Sequence, residues 1–341
     1  MLCCSMCSAW PCCLTVLIVG VLVQVVLERQ LARLAAYEQP LTLTKLQAPL
    51  SDADRQTIIV NNGCQGGAVR RVSALASPAG ESGKTVVLVH GFKMTAVTWS
   101  PVWNMLRDKG HRVIAFDLPG HGESELCEGA LAVESISEDI RRVLDHFEVE
   151  GAAIAGHSLG GFFALNYLLE HTEHSRRRTS LGFVCISCTA GNWRHFIGGT
   201  GGNWHGNLLM KSGLFDLLMQ SDSIAALLMA KKFDKPSLPA VQVVINASRV
   251  GSSRRSLKRL SDLTWELNLH PRLSSLHLPS SIIVGSLDKH HPHPCMSEAL
   301  RDDLRASGLL REYHVLQGVG HFIPLMRPAE AAATIDNMLV T

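Results

Sequence analysis

Apolar residues along this 341-residue chain fall into two kinds of run. Short, dense runs such as Val86-Val-Leu-Val89 and Ala152-Ala-Ile-Ala155 lack polar alternation, which marks strands covered on both faces. Between them, apolar positions recur three and four apart, the spacing of an amphipathic helix. The pattern predicts strands at Thr57–Asn61, Ala68–Leu75, Thr85–Val89, Arg112–Asp117, Ala152–Ala155, Gly182–Ser187, Ser281–Gly285 and Arg311–Leu316. It predicts helices at about 97–109, 134–148, 159–171, 296–306 and 329–340. Strand–helix alternation from residue 85 onward specifies an α/β fold, with a mostly parallel sheet and helices on both faces. Gly63-Cys-Gln-Gly-Gly67 joins the first two strands, which are expected to form an antiparallel hairpin.

The alternation breaks between about 190 and 275. Leu/Met-rich helical pieces, Leu208–Met219 and Ile224–Lys232, take the place of strands there. A structureless loop of that length is implausible, so the stretch reads as a mainly helical lid insert. At the other end, Leu2 to Leu27 carries no charged side chain. Residues 9–27 approach the ~20 needed to cross a hydrocarbon core. A cleaved signal peptide needs a basic start and a small-residue cleavage site, and neither is present. An uncleaved single-pass membrane anchor at 1–27, a helical stalk and linker at 28–55, and a folded domain at 56–341 are therefore expected. Arg29 and Arg33 follow the span and place the domain on the cytoplasmic side under the positive-inside bias.

Composition narrows the function classes. With 46% hydrophobic residues and a net charge of +2, the chain is not disordered, and it lacks the basic balance of a nucleic-acid binder. Of ten cysteines, five (Cys3, Cys4, Cys7, Cys12, Cys13) crowd the first 13 residues, and Cys64, Cys127, Cys185, Cys188 and Cys295 are scattered. This distribution is not that of a disulfide scaffold. The N-terminal cluster reads either as S-acylated thiols or as small apolar residues.

The sharpest chemical signal is Gly156-His157-Ser158-Leu159-Gly160-Gly161, between an apolar strand and a helical pattern. That is the context of a nucleophile elbow, in which a serine projects from a tight strand-to-helix turn. A serine hydroxyl needs a base, and His321 follows the strand at 311–316 and the pliant Gly318-Val-Gly320. The base needs an orienting carboxylate, and Asp288 follows the strand Ser281–Gly285. The order Ser158, Asp288, His321 suits such a sheet. Oxyanion donors are expected from the backbone N–H groups of Phe92, after Val86–Val89 and His90-Gly91, and of Leu159. His90 itself reads as a structural hydrogen-bonding residue. His290, His291 and His293 form a run with no second ligand group evident and read as a solvated loop; no metal and no cofactor are expected.

His90-Gly-Phe92, Asp117-Leu-Pro-Gly-His-Gly-Glu-Ser124, Gly156-His-Ser-Leu-Gly160, Val284-Gly-Ser-Leu-Asp288 and Gly320-His321 occur in the order of the α/β-hydrolase superfamily. Residues 85–341 resemble that superfamily. With the expected anchor, the chain is similar to its membrane-anchored, lid-bearing lipases and esterases. The resemblance implies a serine hydrolase with Ser158, Asp288 and His321 as catalytic residues and Phe92 and Leu159 as oxyanion donors. Ser158 stands where epoxide hydrolases and haloalkane dehalogenases carry Asp, which disfavours both. Met326 stands where an acyltransferase signature would place Asp after His321. The substrate expected is a carboxylic ester, in particular a lipid ester such as a monoacylglycerol, cleaved through an acyl-enzyme. A carbon–carbon bond hydrolase, a peptidase and a non-catalytic anchored scaffold remain as alternatives.

Overall fold

A computed structural model describes residues 55–61, 64, 68–78, 83–127, 130–192, 243–244, 247, 260, 267–288 and 295–339. Eight strands lie at β1 (Arg55–Val60), β2 (Arg70–Ala76), β3 (Thr85–Val89), β4 (Arg112–Phe116), β5 (Ala152–His157), β6 (Gly182–Ile186), β7 (Ser280–Gly285) and β8 (Leu310–Leu316). They form one sheet in the order β1-β2-β4-β3-β5-β6-β7-β8. β2 is antiparallel to both β1 and β4, and β3 to β8 pair in parallel. The expected mostly parallel sheet and the N-terminal hairpin are both present.

Helices cover both faces. α2 (Val133–His146), α3 (Leu159–Glu170) and α5 (Cys295–Ala306) pack on one face. α1 (Ser100–Asp108), α6 (Ile323–Met326) and α7 (Pro328–Leu339) pack on the other. Ile136, Ile140, Val143 and Leu144 make the buried stripe of α2. α3 is buried on every side except at Glu170, as expected of a helix that is apolar on nearly every side, with Asn166 satisfied by Ser137. The central strands β3, β5 and β6 are buried at every position, because α-helices shield both faces.

Three elements were not legible as expected. α4 (Thr172–Arg178) has the sequence Thr-Glu-His-Ser-Arg-Arg-Arg and buries only Ser175, so it has no apolar period to read. Polar contacts hold it instead, with Arg178 donating to the Val149 carbonyl and to Asp145. A 3-10 turn at His270–Ser275 and the four-residue α6 are too short for a periodic signal.

Two sequence expectations are corrected. Cys64 is disulfide-bonded to Cys127 and Cys185 to Cys188, so four of the five scattered cysteines do pair. The first pair lies 63 residues apart in sequence, and only the fold brings the partners together. The second correction concerns the single-pass anchor and cytoplasmic-facing domain. Residues 9–27 lie outside the described residues, and among the described residues no helix is long and apolar enough to cross a membrane. The anchor is therefore not supported. Apolar character in the described chain serves strands of five to seven residues, the buried helix α3 and the sheet-facing stripes of α1, α2, α5 and α7.

Most of the expected lid, residues 193–266 apart from 243, 244, 247 and 260, also lies outside the described residues. Its two ends are tied together. Gly191 bridges Asn268, the Asn192 amide donates to the Leu267 carbonyl at 2.8 Å, and the Leu269 amide to the Ala190 carbonyl at 2.7 Å.

Candidate active site

Because β3, β5, β7 and β8 are parallel, the loops after them open at the same edge of the sheet, where such folds place their chemistry. Each carries one sequence-predicted residue: Phe92 after β3, Ser158 after β5, Asp288 after β7 and His321 after β8.

Ser158 is the turn between β5 and α3, at φ 55° and ψ −125°. A non-glycine residue there is strained by roughly 1–3 kcal/mol and persists only where its surroundings over-determine it. Its amide donates to the Ile186 carbonyl at 2.9 Å, and its carbonyl accepts from the Gly161 amide at 3.0 Å. Glycines let neighbouring backbones close in. A Cβ at Gly160 would stand 2.3 Å from the His90 carbonyl oxygen, and one at Gly91 only 3.0 Å from the Ser158 Cβ. The start of α3, the serine and the loop after β3 therefore meet with no side chain between them.

The three candidate catalytic side chains form one continuous chain. His321 Nε2 is 2.9 Å from Ser158 Oγ, and His321 Nδ1 is 2.8 Å from Asp288 Oδ2. All three are buried. A carboxylate can only accept, so Nδ1 carries the proton and Nε2 faces the serine hydroxyl as an acceptor. The two loops are stitched together as well: the Leu287 amide donates to the Val319 carbonyl at 2.9 Å, and the Gly318 amide to Ser286 Oγ at 2.9 Å.

Phe92 and Leu159 lie on either side of Ser158, one in the loop after β3 and one opening α3. Among the described residues neither amide donates a hydrogen bond. The Leu159 amide is one of the unpaired donors of a helix start, and the helix dipole adds positive potential there.

Sequence reasoning missed a further layer. His157 Nε2 donates to the His321 carbonyl at 2.9 Å, fixing the backbone of the expected base. Burial lowers the His157 pKa to about 4, so the ring is neutral near pH 7. His90 joins loops as expected, accepting from the Leu118 amide on Nε2 at 2.9 Å. His121 accepts from the Lys93 amide on Nε2 at 3.3 Å. Burial lowers His90 to about 4 and His121 to about 3. Asp117 accepts from the Ala96 amide at 2.7 Å and the Glu123 amide at 3.1 Å, and burial pushes its carboxyl up. Apart from His90, these residues stood in the sequence only as motif letters, since their partners are backbone groups.

Among the described residues no group of three or more His, Cys, Asp or Glu side chains is placed to hold a metal. His290, His291 and His293 lie outside the described residues.

Known proteins resemble this chain over part of its sequence or in its fold. A 42% identical stretch of 87 residues, 26% of this chain and 23% of the relative, matches the dihydrolipoyllysine-residue acetyltransferase component of the acetoin cleaving system of Pseudomonas putida. A 31% identical stretch of 106 residues, 30% of this chain and 41% of the relative, matches protein ABHD14A of Mus musculus. The matched stretch is thus less than half the length of either relative. Among solved structures, an esterase from Exiguobacterium antarcticum superposes with a TM-score of 0.68 at 18% identity, over 84% of this chain and 100% of that one. At that identity the likeness is one of fold. Residues 84–328 match the alpha/beta hydrolase fold family, and the chain belongs to it.

Proposed function

We propose that this hydrolase-family chain is a serine esterase that cleaves a carboxylic ester through an acyl-enzyme. The observation that carries the reading is the unbroken Ser158–His321–Asp288 hydrogen-bond chain, closed on a serine held at positive φ. His321 Nε2 takes the Ser158 Oγ proton as Oγ attacks the ester carbonyl carbon. The carbonyl electron pair moves onto oxygen, where the Phe92 and Leu159 amides donate to it. Collapse of the tetrahedral species expels the alcohol, protonated by His321 Nε2. Water then attacks the acyl-serine, giving its proton to His321, and the acid leaves as Ser158 Oγ is reprotonated. Asp288 keeps its charge throughout and holds the imidazole in the required tautomer.

The substrate we favour carries an apolar acyl group, as a monoacylglycerol does. The support is the insert sequence, in which Leu208, Leu209, Met210, Leu214, Phe215 and Leu217 fall in the stretch Leu208–Met219 whose pattern predicts a helix, outside the described residues. We read this insert as a lid lining an acyl pocket. Its ends, tied at Gly191 and Asn268, follow β6 and precede β7. The experiment is a panel of glycerol and aryl esters of increasing acyl length, run with wild type and Ser158→Ala. Hydrolysis that rises with chain length and vanishes in Ser158→Ala supports the reading. Turnover of no ester, or turnover that survives Ser158→Ala, overturns it.

A further inference from the structure

The loop after β3 contains a turn whose carbonyl and amide groups are each held by an imidazole. The Met94 amide donates to the Gly91 carbonyl at 3.2 Å, so Gly91 to Met94 form a tight turn with Phe92 and Lys93 at its centre. Lys93 sits at φ 56°, which a turn of this hand demands of its third residue and which usually selects glycine. Such a turn is prone to reverse its peptide planes unless something fixes them.

His90 holds the first plane. Its Nε2 lies 2.9 Å from the Leu118 amide, an obligate donor, so Nε2 is unprotonated and the proton resides on Nδ1. Nδ1 lies 2.8 Å from the Gly91 carbonyl and donates to it. In a trans peptide the C=O and the following N–H point in opposite directions. Anchoring the Gly91 carbonyl therefore aims the Phe92 N–H the other way.

His121 holds the second plane by the same logic. Its Nε2 accepts from the Lys93 amide at 3.3 Å, which puts the proton on Nδ1, 3.1 Å from the Pro119 carbonyl. The two rings lie side by side with centroids 5.3 Å apart, and both are fully buried. The plane before Phe92 is thus held by His90 of the same loop, itself tied to the Leu118 amide, and the plane after it by His121 of the loop that follows β4.

We propose that His90 and His121 are positioning residues for the oxyanion hole: they fix the peptide planes on either side of Phe92 and so aim its amide at the Ser158 carbonyl-attack site. The proposal rests on the serine-hydrolase reading. It assigns both imidazoles a role in transition-state stabilisation, exerted wholly through backbone, beyond packing between loops.

The test separates the two ring nitrogens of His90. His90→Asn keeps a donor near the Nδ1 position, within reach of the Gly91 carbonyl, and loses the acceptor for Leu118. His90→Gln keeps an acceptor near the Nε2 position and loses the donor. With a soluble aryl ester, His90→Gln is expected to lower kcat by about 10²-fold, the scale of a lost oxyanion donor, with KM within about threefold. The inhibition constant of a trifluoromethyl ketone, which forms a tetrahedral adduct on serine, should weaken by a similar factor. His90→Asn should recover most of the lost kcat even if its thermal midpoint falls as far as that of His90→Gln. A crystal structure of His90→Gln should show the Gly91 carbonyl turned away from its present direction. Equal kcat values in the two variants, kcat losses that follow thermal stability, or an unmoved Gly91 carbonyl would each overturn the proposal while leaving the esterase reading intact. A wild-type protein that neither turns over esters nor forms the ketone adduct would overturn both.

Discussion

Replacing Gly160 by alanine adds one methyl group at the point where α3 meets the loop after β3. That methyl would stand 2.3 Å from the His90 carbonyl oxygen and 2.4 Å from the Val89 carbonyl oxygen. Real Cβ contacts essentially never fall below 3.0 Å, so the gap must open by at least about 0.7 Å, and both obstacles are backbone, which cannot swing aside. The strand end belongs to β3, hydrogen-bonded to β4 on one side and β5 on the other, so α3 is the partner that moves. Leu159 and Ser158 move with it, away from Phe92. Overpacking of this kind costs about 1–3 kcal/mol. A displacement approaching 1 Å near the chemistry costs about 10²-fold in rate. Urea unfolding and kcat on an aryl ester measure the two effects. Gly308→Ala is the control: Gly308 sits at positive φ, at +69°, but a Cβ there would meet nothing within 4 Å, and it lies at the opposite edge of the sheet before β8. It should lose about 1 kcal/mol from backbone strain and keep its kcat. A Gly160→Ala protein with native stability and kcat within twofold of wild type would refute the packing argument.

Three other outcomes follow. Asp288→Asn preserves the shape beside His321 but lets the imidazole take the wrong tautomer, so kcat should fall by about 10³–10⁴-fold while folding stays intact by circular dichroism; a loss below tenfold would contradict the assigned role. Acid should destabilise the fold steeply, because His90 and His157 titrate near 4 and His121 near 3 when folded, against a reference of 6.5. Their folded values lie below the unfolded one, so full stability holds above about pH 6.5 and is lost toward pH 4, at about 1.4 kcal/mol per pH unit per ring. The single opposing proton of Asp117 leaves that sign unchanged, and a flat urea midpoint between pH 6.5 and 4.5 would refute it. Breaking Cys64–Cys127, by reductant or by Cys127→Ala, opens a 63-residue separation and should cost about 4 kcal/mol, read as a lower urea midpoint; an unchanged midpoint would show that the bond does not form.

The α/β architecture was legible because its core strands are continuous apolar runs. The run Thr85–Val89 became β3 without a change of boundary, and Arg112–Asp117 ended one residue early at Phe116. Helix α3 was legible from Leu159 onward because Gly156, Gly160 and Gly161 frame it. What escaped reading has a common character. α4 is a polar helix held by Arg178, and no hydrophobic period announces it. Cys64 and Cys127 pair across the fold, and spacing in sequence says nothing of that. His157 and His121 act on a carbonyl and an amide, which every residue possesses, so no side-chain motif reveals the partner; His90 was legible as a loop-joining residue, but its backbone partners were not. Of the candidate site, the residues proposed to bear chemistry were visible in sequence order, as was His90, whereas His157 and His121, which hold the backbone around them, became visible only in three dimensions.

The central claim is that Ser158, activated by His321, is the nucleophile. The most direct measurement is covalent labelling by a fluorophosphonate probe, read by intact mass and by peptide mapping, in wild type, Ser158→Ala and His321→Ala. The account predicts one adduct per wild-type chain, located on Ser158, with no adduct in Ser158→Ala and labelling at least about 10³-fold slower in His321→Ala. Labelling that persists in Ser158→Ala, or maps to another residue, would contradict it.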